Sequence, residues 1–304
     1  MIFFIFCWGM LAPLEERSWA LALDQFGLSR EPMMAVAANG TFVMANRSGA
    51  ALYFFDQEGL YRFSRGRFGV GFGDFRGIDR LEYLAFADRF AAFDFAAGAI
   101  SIFKPDGELV RILNHPVGVV SGAAFPNPQS SVYLKVDRES PHAHCGVFRY
   151  DFENDKEFPL HILTGPDHVS LPLYCAPYNG DGEPWCQNLW VAALGSTLAL
   201  KLPRENVFRL RPLTGGMASL AETAVPEYLQ QGAALLVDEP MGRFWLWKQF
   251  GQAYVFQGYD LALKPVGKGH FPSRPLAILG DWAYLLQQEP GRPTRLLRKP
   301  LPLD

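Results

Sequence analysis

The segment "TFVMANRSGAALYFFDQEGLYRF", beginning at Thr41, returns 48 residues later as "RFAAFDFAAGAISIFKPDGELVRI", beginning at Arg89. In this alignment Phe42 meets Phe90, Asn46 meets Asp94, Phe55 meets Phe103 and Gly59 meets Gly107. A fixed period constrains a chain more than any local motif, because each copy must be one supersecondary unit that buries its apolar face against its neighbours. Each copy reads as a short apolar strand ending in Asn or Asp, a turn, a second strand ending in an aromatic residue, a glycine turn, and a third strand. This is a meander of antiparallel hairpins.

Weaker copies follow, in "SVYLKVD" with "GVFRYDFEN", "NLWVAAL" with "NVFRLRPL", "RFWLWKQ" with "AYVFQGYD", and "DWAYLLQQ" with "TRLLRKP". With Phe55, Phe103, Tyr150, Leu210, Phe256 and Leu297 as equivalent positions, the spacings are 48, 47, 60, 46 and 41 residues. An apolar stretch such as "MMAVAANG", "ALLVDEP" or "LAILG" precedes a unit and supplies a further strand. Six units of four strands at this period predict an all-β, six-bladed β-propeller of antiparallel blades. A propeller must join its last blade to its first or leave sheet edges open. The chain ends soon after the third strand of the sixth unit, so the segment Ser18–Gly27 is expected to pair with the last blade and close the ring.

Over residues 33–113 the chain resembles the NHL-type six-bladed β-propellers. The family pattern of an apolar strand ending in an acid, an aromatic strand, a "DG" turn and a glycine-rich connector appears as "FVMAN", "LYFFDQEG" and "FGVGFGDF". The last four units keep the strand order and lose the glycine connector. This resemblance implies a noncatalytic binding or scaffold propeller that presents loops to a protein, peptide or glycan. Some six-bladed propellers instead host lactonase- or lyase-like activity with a divalent cation at the central channel, which is the alternative reading.

With 28 basic and 31 acidic residues the net charge is -3, and the absence of long charge runs excludes a general polyanion binder such as a nucleic-acid-binding protein. Residues 1–15 contain an apolar run of about twelve residues, too short to span a bilayer. It reads as an incomplete secretory leader, a buried strand or a membrane-surface anchor; the first would place the protein outside the cytoplasm or in a periplasm, the others leave it cytoplasmic. The propeller is assigned to residues 16–304. No second stretch is long enough to cross a membrane as a helix. In "YCAPYNGDGEPWC" a disulfide between Cys175 and Cys186 could staple the neck of a hairpin, or the two could remain thiols.

Four glycines, Gly66, Gly69, Gly71 and Gly73, stand in "RGRFGVGFGDF". Their G-x-G-x-G spacing departs from the G-x-G-x-x-G of a dinucleotide site, and neither the following helix nor a G-x-x-x-x-G-K-[ST] phosphate loop is present. They are therefore expected to form a structural connector between the first and second blades, taking positive φ and letting Phe68, Phe72 and Phe75 tuck between sheets. "SPHAHCG" offers His142, His144 and Cys145 as side chains that can ligate zinc or copper, or reads as a solvated loop between two strands of the third blade, the reading favoured by its lack of a third ligand on the same strand face. Asp79, Asp88, Asp94, Asp137 and Asp238 stand at or near strand ends, where a ring of carboxylates could hold Ca²⁺ or where turn backbone groups could satisfy each acid locally. No metal or other cofactor is specified by these patterns, and no G-x-S-x-G nucleophile elbow is present.

Overall fold

In a computed structural model, the described residues are 21, 23–28, 31–47, 49–115, 119–137, 144–162, 190–194, 197–201, 207–212, 221–230, 233–238 and 241–301. They form six antiparallel sheets, each a meander in chain order. Blade 1 comprises β1 (Pro32–Val36), β2 (Phe42–Asn46), β3 (Leu52–Phe55) and β4 (Tyr61–Arg65). Blade 2 comprises β5 (Arg80–Leu84), β6 (Arg89–Asp94), β7 (Ala99–Phe103) and β8 (Leu109–Asn114). Blade 3 comprises β9 (Val119–Asn127), β10 (Ser130–Asp137), β11 (His144–Asp151) and β12 (Lys156–Ile162). Blade 4 comprises β13 (Trp190–Leu194), β14 (Thr197–Lys201), β15 (Val207–Pro212) and β16 (Ala221–Ala224). Blade 5 comprises β17 (Ala234–Asp238), β18 (Arg243–Phe250), β19 (Ala253–Tyr259) and β20 (Pro265–Phe271). Blade 6 has three strands among the described residues, β21 (Arg274–Leu279), β22 (Trp282–Gln287) and β23 (Arg295–Pro300).

The six equivalent positions Phe55, Phe103, Tyr150, Leu210, Phe256 and Leu297 all fall on the third strand of their blades. First strands touch in cyclic order, β1 to β5, β9, β13, β17, β21 and back to β1, so they line the axis of a closed ring of six blades. The apolar core lies in layers between successive blades. Phe54, Phe75, Phe90 and Phe103 fill the layer between blades 1 and 2, and Phe42, Phe55, Tyr284 and Leu296 fill that between blades 6 and 1. β18 is buried on both faces because Phe244 and Leu246 enter the layer toward blade 4 while Trp245 enters the layer toward blade 6.

The N-terminal segment meets the last blade, but its described part differs from the expected strand. Leu23–Phe26 form a single 3-10 turn. The Leu23 N–H donates to the Thr294 carbonyl at 3.2 Å, while Leu21, Leu23 and Leu28 pack with Leu276 and Leu286. A compact turn wins here because Asp24 and Gly27 favour chain reversal, with the Gly27 N–H donating to the Asp24 carbonyl at 3.0 Å. Residues 18–20 and 22 of the expected strand, and all of residues 1–15, lie outside the described residues. No helix among the described residues is long and apolar enough to cross a membrane.

Candidate functional site

The connector from β4 to β5 is built around Asp74 and Phe75. Phe75 is 1% exposed, seated among Phe54, Phe90 and Phe103. Its N–H donates to the Arg67 carbonyl at 2.9 Å, and its carbonyl accepts from the Gly69 N–H at 3.1 Å. Asp74 accepts from Arg67 Nε at 3.1 Å through Oδ1 and from the Gly71 N–H at 3.1 Å through Oδ2. The chain between residues 67 and 75 is thus closed on itself above a buried aromatic foot.

The glycines divide into two kinds. Gly66 and Gly73 both have φ of +81°, which a Cβ would strain. Gly69 and Gly71 lie outside that region and are small for a different reason: a Cβ on Gly71 would stand 2.8 Å from Asp74 Oδ2, and one on Gly69 would collide with the same oxygen. Glycine at these two positions therefore lets the loop wrap its own carboxylate.

Of the three phenylalanines expected between the sheets, only Phe75 is there. Phe68 is 77% exposed, Phe72 80%, and Val70 between them 82%. The loop is closed too tightly to fold these side chains back, and the interblade space is already occupied by Phe75. Burying each would contribute roughly 1.5–3 kcal/mol, so the fold forgoes that gain at three of the four apolar side chains between residues 67 and 75. Beside them a groove of about 740 Å³ runs between the connector and the β7–β8 turn. Arg65, Arg67 and Phe72 form one wall, Asp106 and Glu108 the other, with Leu109 contributing an apolar surface. Arg65 Nε donates to the Gly107 carbonyl at 3.1 Å, fixing the two walls together.

The axis offers a second cavity, of about 130 Å³. Its walls come mainly from the first strands of blades 1, 2, 5 and 6 and mix polar surface with apolar side chains, Met34, Leu236 and Ile278 among them. Arg80 and Glu82 of β5 are the charged residues of this wall. Glu82 Oε2 accepts from the Phe125 N–H at 3.1 Å, tying blade 2 to blade 3.

The strand-end acids are largely engaged by backbone. Asp94 accepts from the N–H groups of Arg76 at 2.6 Å, Gly77 at 3.3 Å and Ala97 at 2.8 Å. Asp79 accepts from the Phe95 N–H at 2.8 Å, and burial raises its carboxyl above the ordinary range despite that bond. Asp238 is fully buried, accepts from the Gly280 N–H at 3.0 Å, and is likewise raised by burial. Asp88 is engaged by the Tyr83 hydroxyl at 2.9 Å. Asp137 and His144 are register partners across β10 and β11, whereas His142, Cys175 and Cys186 lie outside the described residues. Among the described residues no three His, Cys, Asp or Glu side chains gather as a metal site.

Sequence reasoning located the connector and missed its exposed apolar tip, because alternation with glycine carries no period that distinguishes inside from outside. It also passed over Arg80. The available signal was the charged and apolar alternation of "RLEYL" in a strand required to line the axis.

No family model matches the chain. No curated protein matches it either. Among solved structures, a member of the duf4221 family from Bacteroides vulgatus is similar at 12% identity, covering 90% of this chain and 92% of that one with a TM-score of 0.58. A protein of unknown function from Bacteroides thetaiotaomicron is similar at 11% identity, covering 92% and 71%, with a TM-score of 0.54. These likenesses show the fold alone. Neither assigns a ligand or a reaction, and none of them specifies the NHL family for this chain.

Proposed function

We propose that this protein is a noncatalytic binding propeller that holds a short peptide segment of a partner protein at the connector between blades 1 and 2. The observation that supports this reading is a closed loop, seated on buried Phe75, that presents Phe68, Val70 and Phe72 to solvent at 77–82% exposure. Exposed apolar side chains on a rigid support, rimmed by charge, are the anatomy of a recognition site. The adjoining groove, about 740 Å³, is of the size that encloses a small ligand or a few residues of peptide. Three side chains and one groove fall short of the roughly 800 Å² per partner of a standard protein interface, so a short segment fits better than a globular face. The partner chemistry that matches is an apolar side chain for the Phe68, Val70 and Phe72 tip, flanked by an acid for Arg65 and a base for Asp106.

The test is selection of peptides from a displayed combinatorial library on the immobilised protein, followed by affinity measurement. Selected peptides carry an apolar residue beside charge and bind Phe72→Ser about tenfold more weakly or worse, with folding unchanged. Selection of peptides indifferent to Phe68→Ser, Val70→Ser and Phe72→Ser would overturn the assignment. Binding persists in chelator on this reading. Stoichiometric Ca²⁺ or Zn²⁺ whose removal abolishes binding would move the protein to the metal-dependent lactonase- or lyase-like class.

A further inference from the structure

Arg80 is out of keeping with its surroundings. It lies on β5, half-buried in the wall of the axial cavity, and its Nε is buried with no hydrogen-bond partner. No ion pair involves it among the described residues. Sheet register shows that the position does not demand a cation: Arg80 pairs with Phe93 as Met33 of blade 1 pairs with Ala45, and Phe93 and Ala45 are 48 residues apart. Blade 1 thus uses an apolar residue where blade 2 uses a guanidinium. A buried, unpaired guanidinium donor carries a desolvation penalty that methionine avoids.

Met34, Leu236, Ala277 and Ile278 supply the apolar part of a wall that otherwise exposes polar groups in nearly equal share. The cavity, about 130 Å³, is close to the size of engineered cavities that hold one small hydrocarbon ring. Glu82, on the same strand face, has one carboxylate oxygen engaged by the Phe125 N–H. From this we propose that the axial cavity binds a small monocarboxylate with a branched or cyclic apolar body of about four to six carbons. The carboxylate takes the bidentate donors of Arg80, and the body fills the space between Met34, Ala277 and Ile278. This site is independent of the peptide groove, with which it shares no lining residue.

Isovalerate and its neutral isostere isovaleramide test the assignment by titration of the full chain, read by NMR or calorimetry. Isovalerate is expected to bind at least about tenfold more tightly than the amide, the increment of a charge-assisted bidentate contact. Arg80→Met lowers isovalerate affinity by about tenfold or more and leaves isovaleramide unchanged. Arg80→Lys, which keeps the charge and loses the fork, gives a smaller loss. Ala277→Phe, which fills the cavity, abolishes binding of both, while Phe72→Ser changes neither. Equal affinity for acid and amide, insensitivity to Arg80→Met, or no binding of either compound would each overturn the proposal.

Discussion

The connector tip and the axial wall break the same rule in opposite directions. At the tip, apolar side chains stand in water on a loop locked by Asp74 and Phe75. At the axis, a guanidinium with a buried, unpartnered Nε stands beside Met34, Leu236 and Ile278. Between the sheets, Phe, Tyr and Leu fill the layers. Local violations held in place by otherwise consistent structure are where function is expected, because the remaining contacts supply the stability that those residues do not.

The comparison can be broken most sharply at the foot of the connector. Phe75→Ala removes a buried ring from the blade 1–2 layer and is expected to cost about 3–5 kcal/mol in denaturant unfolding, against a change within about 0.5 kcal/mol for Phe68→Ala only one bridge partner away. Equal costs would mean that the tip is packed after all. Gly66→Ala comes next. Its φ of +81° and a Cβ only 2.5 Å from the Phe75 ring and 2.8 Å from the Ala50 carbonyl predict a loss of about 2–3 kcal/mol. Gly251→Ala is a control with positive φ and open space around it, expected to cost about 1 kcal/mol. Gly71→Val is expected to cost about 1–2 kcal/mol by displacing Asp74, with no change in nucleotide affinity at any stage.

The smallest effect falls on Asp238, a buried carboxylate held by the Gly280 N–H. Burial raises the Asp238 carboxyl in the folded state, so the fold binds that proton more tightly than the unfolded chain does. Its contribution is therefore fully present below the ordinary carboxylate range and declines as pH rises through the raised value. Asp238→Asn should flatten the fall in stability across that window, measured by urea unfolding at several pH values. An unchanged slope would place the burial penalty elsewhere.

The sequence made the ring legible because large apolar third-strand residues, aromatic in four blades and leucine in two, recur every 41 to 60 residues, a signal that each blade must repeat in order to pack. The N-terminal segment was harder. "LALDQFG" alternates like a strand, yet Asp24 and Gly27 turn Leu23–Phe26 into a 3-10 turn against Thr294. The acids at strand ends were readable only as a type, since whether Asp94 faces a cation or three backbone N–H groups depends on where the neighbouring connector passes. The exposed tip was illegible for a related reason: its conformation is set by hydrogen bonds within the loop and by one buried ring, neither of which leaves a periodic trace.

The central claim is that the connector tip serves recognition and not stability. Its most direct test is Phe68→Ser/Phe72→Ser, with unfolding free energy and affinity for a selected peptide measured on the same protein. The account predicts stability unchanged within about 0.5 kcal/mol and affinity reduced by about tenfold or more. A loss of stability of about 2 kcal/mol or more with peptide affinity intact would contradict it.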